Sequence, residues 1–145
     1  MLPWWGKGLY FSCVKCGACC GRAPGTVRFT RTELASMSGA LGMSHGEFVR
    51  RYTWKKYGVL SIREHSNYDC VFLQISECGV GCKIYPVRPL QCSSFPFWPD
   101  ILENELSWNK FSLSCPGMNN GKYHDFDEIS KYVIQYIHDG ILKFL

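Results

Sequence analysis

Cys13-Val14-Lys15-Cys16-Gly17-Ala18-Cys19-Cys20 is the stretch on which the reading of this chain turns. It lies among Gly21, Pro24 and Gly25, a composition that predicts a loop. Burial as small hydrophobes gives thiols no reason to cluster in this way. Convergence on a metal does. The C-x2-C-x2-C run of Cys13, Cys16 and Cys19 can wrap so that three sulfurs face one centre, as in runs that hold corners of a cubane iron–sulfur cluster. Cys19 and Cys20 are adjacent, and neighbouring side chains of an extended segment point to opposite sides. They share one small centre only on a sharply turned backbone, and more naturally serve two.

Working outward, the chain has nine cysteines, the others being Cys70, Cys78, Cys82, Cys92 and Cys115. Cys115-Pro116 is a remote cysteine followed by proline, the pattern that completes ferredoxin-type coordination. Zinc usually takes two ligands from each of two tight knuckles. The nearest thing to a second knuckle is Cys78-x3-Cys82. The spacing leans to iron–sulfur, with zinc open. The odd count argues against a disulfide framework. Met1–Gly8 does not read as a signal peptide, and no stretch approaches the roughly 20 apolar residues that span a bilayer. The expectation is a cytoplasmic chain whose thiols bind metal or do redox chemistry.

The 145 residues suit one domain (1–145), and 46% apolar against 19% charged is a globular balance. A net charge of +4 falls short of a nucleic-acid binder's signature. Thr30-x-x-Glu33 and Ser44-x-x-Glu47 predict two capped helices, the first to about Ser38 and the second through Trp54 with Gly58 as its stop. Val59–Arg63 and Cys70–Ile75 predict strands paired as a hairpin across Glu64–Asp69. Cys78–Pro99 reads as a compact irregular loop with a helical turn, and Glu105–Ser114 as a short strand. A last helix over about 127–142, capped by Asp125 or Asp127, carries Ile129, Tyr132, Val133, Tyr136 and Ile137 on one face. The expected fold is α+β: a small, loop-rich, mostly helical domain organised around a cysteine-bound metal centre.

The sequence resembles the YkgJ-like CxxCxxCC cysteine-cluster family, a zinc- or iron-chelating domain. The resemblance rests on Cys13-Val-Lys-Cys16-Gly-Ala-Cys19-Cys20, Cys70-Val-Phe-Leu, Cys82-Lys-Ile-Tyr85-Pro-Val-Arg88-Pro89-Leu-Gln-Cys92, Phe95-Pro96-Phe97 and Cys115. It covers roughly residues 10 to 118. It implies that Cys13, Cys16, Cys19, Cys20, Cys70, Cys82, Cys92 and Cys115 are the metal ligands, holding iron (a 4Fe-4S cluster favoured) or zinc. Cys78 has no counterpart and stays outside the set. Ser93 stands where the family often has arginine. Larger relatives, the flagellin lysine methylases, pair a similar cluster with methyl transfer from S-adenosylmethionine, an activity not carried over to this shorter chain. The expected function is metal binding, with an iron–sulfur enzyme of redox or methyl-transfer type as the alternative.

Other residues fit two readings each. Arg88 either clamps an anion or offsets thiolate charge on the one hand, or caps loop carbonyls on the other. His45, His65, His124 and His138 read first as ordinary surface or core histidines, His124 being the best ligand candidate among them. Arg50, Arg51, Lys55 and Lys56 around Tyr52 and Trp54 read as a solvated face before a nucleic-acid site. No P-loop, dinucleotide fingerprint or nucleophile elbow is present. The expected partner is therefore a metal ion or cluster, with a protein partner or small substrate open.

Overall fold

A computed structural model of the chain describes residues 1–16, 25–77 and 79–142, with side chains through residue 139. Cys19, Cys20 and Cys78 lie outside the described residues.

The chain runs β1 (Leu9–Phe11), α1 (Arg31–Ala40), α2 (His45–Tyr52), β2 (Thr53–Lys56), β3 (Val59–Ile62), β4 (Leu73–Ser76) and β5 (Gly79–Cys82). A 3-10 turn (Tyr85–Val87) follows, then α3 (Leu90–Ser93), α4 (Glu105–Ser112), β6 (Met118–His124) and α5 (Phe126–Leu142). The strands form three antiparallel pairs: β1 with β6, β2 with β3, and β4 with β5. The α+β class holds. Helix makes up 36% of the structure described, so the expected predominance of helix is not confirmed. No helix among the described residues is long and apolar enough to cross a membrane.

Both capped helices start where the sequence puts them. The Thr30 side chain accepts from the Glu33 amide at 3.1 Å, and Glu33 accepts from the Thr30 amide at 2.8 Å. The Ser44 hydroxyl accepts from the Glu47 amide at 3.2 Å. The second helix stops earlier than expected, at Tyr52. Tyr57 and Gly58, both at positive φ, form a two-residue turn between β2 and β3, so Gly58 turns a hairpin and Trp54 sits in a strand. The expected pairing of Val59–Arg63 with Cys70–Ile75 shrinks to one bridge, Glu64 with Cys70, because β3 is taken by β2 and β4 by β5. Glu105–Ser112 is a helix, contrary to the strand expected: Asn104 accepts from the Ser107 amide at 2.8 Å and starts it. Asp125 accepts from the Glu128 amide at 2.8 Å in the first turn of α5.

Burial falls into two clusters. Leu9, Phe97, Ile101, Leu102, Trp108, Met118 and Ile129 form the first, with Phe95, Trp98, Cys115, Tyr132 and Val133 packed against it. The α5 stripe thus meets this core through Ile129, Tyr132 and Val133, whereas Ile137 remains exposed. Met37, Phe48, Ile62, Phe72 and Ile84 form the second cluster, joined by Val27, Tyr52, Cys70 and Cys82 among others. Beneath β1, Gly117 is required because a Cβ there would overlap the Ser12 carbonyl oxygen.

Candidate metal centre

Four of the predicted ligands, Cys13, Cys70, Cys82 and Cys92, line a single cavity of about 330 Å³. They arrive from four separate places. Cys13 sits just past β1, Cys70 at the Glu64 bridge, Cys82 at the end of β5 opposite Leu73, and Cys92 in α3. The cavity lies on the seam between the two clusters: Val27, Ile62, Phe72 and Ile84 face it from one, Phe95 and Trp98 from the other.

The seam is closed by directed polar contacts. The Gln91 carbonyl oxygen of its side chain accepts from the Arg28 amide at 3.0 Å, and its Nε2 donates to Thr26 O at 2.6 Å. Trp98 Nε1 donates to Gln91 O at 2.9 Å. The Glu33 carboxylate, besides completing its cap, accepts from the Leu90 amide at the start of α3. A capping residue and a glutamine two positions from Arg88-Pro89 therefore fix the helix that presents Cys92.

Local geometry around Cys13 differs from that of an ordinary loop. Lys15 has φ 55, left-handed backbone that a lysine seldom adopts, and its amide donates to Cys13 Sγ at 3.4 Å. The turn bends the chain back over the sulfur. Cys70 is set differently. Burial pushes its thiol up, with the neighbouring Cys82 and Glu64 adding to the rise against an amide hydrogen bond from Phe72 that lowers it. A buried thiol kept protonated by desolvation is inert until a cation replaces the proton.

Cys16 and Cys115 are not among the cavity's lining residues. Cys115 follows α4 and packs against the first cluster, with its amide donating to Ser112 O at 3.3 Å. Among the described residues no group of three or more His, Cys, Asp and Glu side chains is disposed to hold a metal ion; Cys19 and Cys20 fall outside that set.

His124 resolves in favour of structure. It lies at the end of β6, 8% exposed, with Nδ1 at 2.9 Å from Glu128 Oε1 and Nε2 at 2.8 Å from Phe11 O, so both ring nitrogens are engaged. In the basic segment, Lys56 pairs with Glu64, Arg51 pairs with Glu47 and covers Tyr52, and Tyr52 packs inward against Phe72. Trp54, by contrast, is exposed with the Arg63 guanidinium over its ring, so only one of the two aromatics turns inward. Lys15 and Trp98 line the cavity but were not foreseen; the signals were position inside the C-x2-C run and next to the Phe95-Pro96-Phe97 motif.

Residues 12–116 match the family described as "CxxCxxCC: Putative zinc- or iron-chelating domain". The chain is also 33% identical over 144 residues to the uncharacterized protein MJ0661 of Methanocaldococcus jannaschii, covering 96% of this chain and 72% of that one. No solved structure matches it. With a match spanning both the C-x2-C-x2-C-C run and the late Cys115, the chain belongs to the CxxCxxCC family of zinc- or iron-chelating domains.

Proposed function

We propose that this is a metal-binding protein that holds iron, in 4Fe-4S form at four cysteines per cluster, with ligands drawn from Cys13, Cys16, Cys19, Cys20, Cys70, Cys82, Cys92 and Cys115 and with zinc as the alternative metal. The observation that carries the reading is that Cys13, Cys70, Cys82 and Cys92, distant in sequence, line one cavity. The donor set fits: soft thiolates suit iron–sulfur clusters and zinc alike. Cys70 fits as well, because coordination would offset the cost of carrying a thiolate in its desolvated position. When bound, a cluster would supply electron transfer or an open iron, and zinc a closed structural centre.

A second reading is a redox or group-transfer enzyme, favoured by the cavity's apolar walls beside the thiols. Binding of S-adenosylmethionine in calorimetry would support it. The deciding experiment is anaerobic purification followed by metal analysis, acid-labile sulfide assay and a visible spectrum on one sample. Iron with stoichiometric sulfide and a brown chromophore is the expected result. Colourless protein with zinc and no sulfide selects the alternative metal. A preparation with neither, unable to take up either after reduction, refutes the reading.

A further inference from the structure

We propose that the cysteine-lined cavity also takes a small organic anion, a carboxylate or phosphate on an apolar body, with Arg88 gripping the charged end. The inference concerns the cavity assigned above to metal, and rests on that reading for placing the anion beside a metal centre.

Arg88 is held by two contacts with Tyr85. Its Nε donates to Tyr85 O at 3.1 Å, and its guanidinium lies 3.9 Å from the centroid of the Tyr85 ring. The buried Pro89 follows it, stiffening the backbone on that side. Among the described residues no other hydrogen bond or ion pair engages this side chain. Among the described residues the two terminal NH2 groups thus make no bond, while the Nε bond and the ring contact orient them. A planar fork of parallel donors matches a carboxylate or phosphate edge.

The surroundings select the rest of the ligand. Lys15 Nζ, 5.8 Å from the centroid of the same ring, is a second cation lining the cavity, and no aspartate or glutamate lines it among the described residues. Arg88 and Lys15 thus give this wall of the cavity two cations for an anion to meet, apart from the thiols that face the metal. The polar side chain of Gln91 is already committed to Arg28 and Thr26. Gln74 and the cysteines apart, the rest of the lining is largely apolar, with Ile62, Phe72, Phe95 and Trp98 its bulkiest members. At about 330 Å³ the space is at the lower end of the range, roughly 300–1,000 Å³, of small-molecule sites. An apolar body against that wall adds binding energy that a bare inorganic anion lacks.

The test uses protein as purified with its metal, titrated calorimetrically with benzoate, phenyl phosphate, inorganic phosphate and benzyl alcohol, with metal content measured on every sample. Benzoate or phenyl phosphate is expected to bind, and which of them binds more tightly separates carboxylate from phosphate. Benzyl alcohol and inorganic phosphate should bind at least about tenfold more weakly. Arg88→Gln should weaken the organic anion about tenfold or more at unchanged metal content, with partial recovery in Arg88→Lys. Equal binding by Arg88→Gln, or no organic anion bound by metal-loaded protein, overturns the inference and leaves the metal reading intact. Loss of metal in Arg88→Gln also overturns it, because the guanidinium then serves the thiolates. Arg88-dependent binding in a protein that takes up no metal upholds the anion site and ends the metal reading instead.

Discussion

Replacing Glu33 by glutamine separates two tasks that one carboxylate performs. Oε1 accepts from the Thr30 amide at 2.8 Å and completes the cap of α1, while Oε2 accepts from the Leu90 amide at 2.5 Å and anchors α3, the helix that carries Cys92. Glutamine keeps a carbonyl oxygen for the first task, and capping boxes accept it. At the second position it offers an NH2 to another N–H, so that bond is lost. Charge-assisted hydrogen bonds are worth about 1.5–3 kcal/mol. Glu33 is partly exposed, and solvent screening places the loss near the low end, about 1.5–2 kcal/mol. For a chain of this size that lowers Tm by about 4–6 °C. Glu33→Ala forfeits the cap as well and should cost about 0.5–1 kcal/mol more. Thermal melts of the two variants, with hydrogen exchange followed at the Leu90 amide, provide the measurement. A glutamine variant that melts within about 1 °C of the parent, as a neutral surface change would, with Leu90 still protected, refutes the idea that this carboxylate positions the Cys92 helix.

Four further outcomes follow from particular contacts. His124→Leu leaves the Phe11 carbonyl without its partner and should cost about 1–3 kcal/mol while metal content stays at the parent level; a fall in the metal-to-protein ratio would make His124 a ligand after all. Asn104→Ala removes the cap of α4 and should lower stability by about 1 kcal/mol in urea titration, whereas an unchanged midpoint would deny the cap. In metal-free, reduced protein, iodoacetamide should label the exposed Cys13 ahead of Cys70, whose burial both shields the sulfur and raises its pKa, leaving little of the reactive thiolate; peptide mass spectrometry showing equal rates counts against this environment. Metal removal should deprotect amides at 13–16 and 79–96 in hydrogen exchange before it touches α5, and an apoprotein that keeps both loops protected contradicts the coupling of metal to the seam.

What the sequence made legible was whatever depends on near neighbours. Thr30 with Glu33 and Ser44 with Glu47 announce helix starts because the cap bonds span three residues. The α5 stripe is readable for a similar reason: its period survives whatever it packs on. Strand partners were not readable. Val59–Ile62 was matched to the Cys70 segment, while its actual partner, Thr53–Lys56, was read as the end of a helix; the tight Tyr57-Gly58 turn pairs the two. Glu105–Ser112 was misjudged because its aromatic and apolar residues suggested a strand, while Asn104, the N-cap, was passed over. Of the candidate site, the motif singled out eight cysteines, four of which line the cavity. The convergence of Cys13, Cys70, Cys82 and Cys92, and the availability of the Arg88 fork, depend on contacts between segments far apart in the chain.

The position of the cavity gives the metal reading a physical motive beyond ligand chemistry. The apolar interior is divided into two clusters, each too small to resemble the core of a chain this long. Small clusters bury little surface per residue ordered, so the junction between them is where the fold should open first. Across that junction run the bonds of Gln91 to Arg28 and Thr26 and of Trp98 to Gln91, each worth on the order of 1 kcal/mol net. Cys70 and Cys82 pack on the second cluster, while Cys92 lies beside Phe95 and Trp98 of the first. A metal joined to all three would tie the clusters together with coordination energy far larger than those hydrogen bonds, about 10 kcal/mol or more for a structural site. The same division explains why Cys70 tolerates a desolvated setting that disfavours its thiolate. Without metal the thiol stays neutral and compatible with the apolar wall, and with metal the thiolate becomes part of the link.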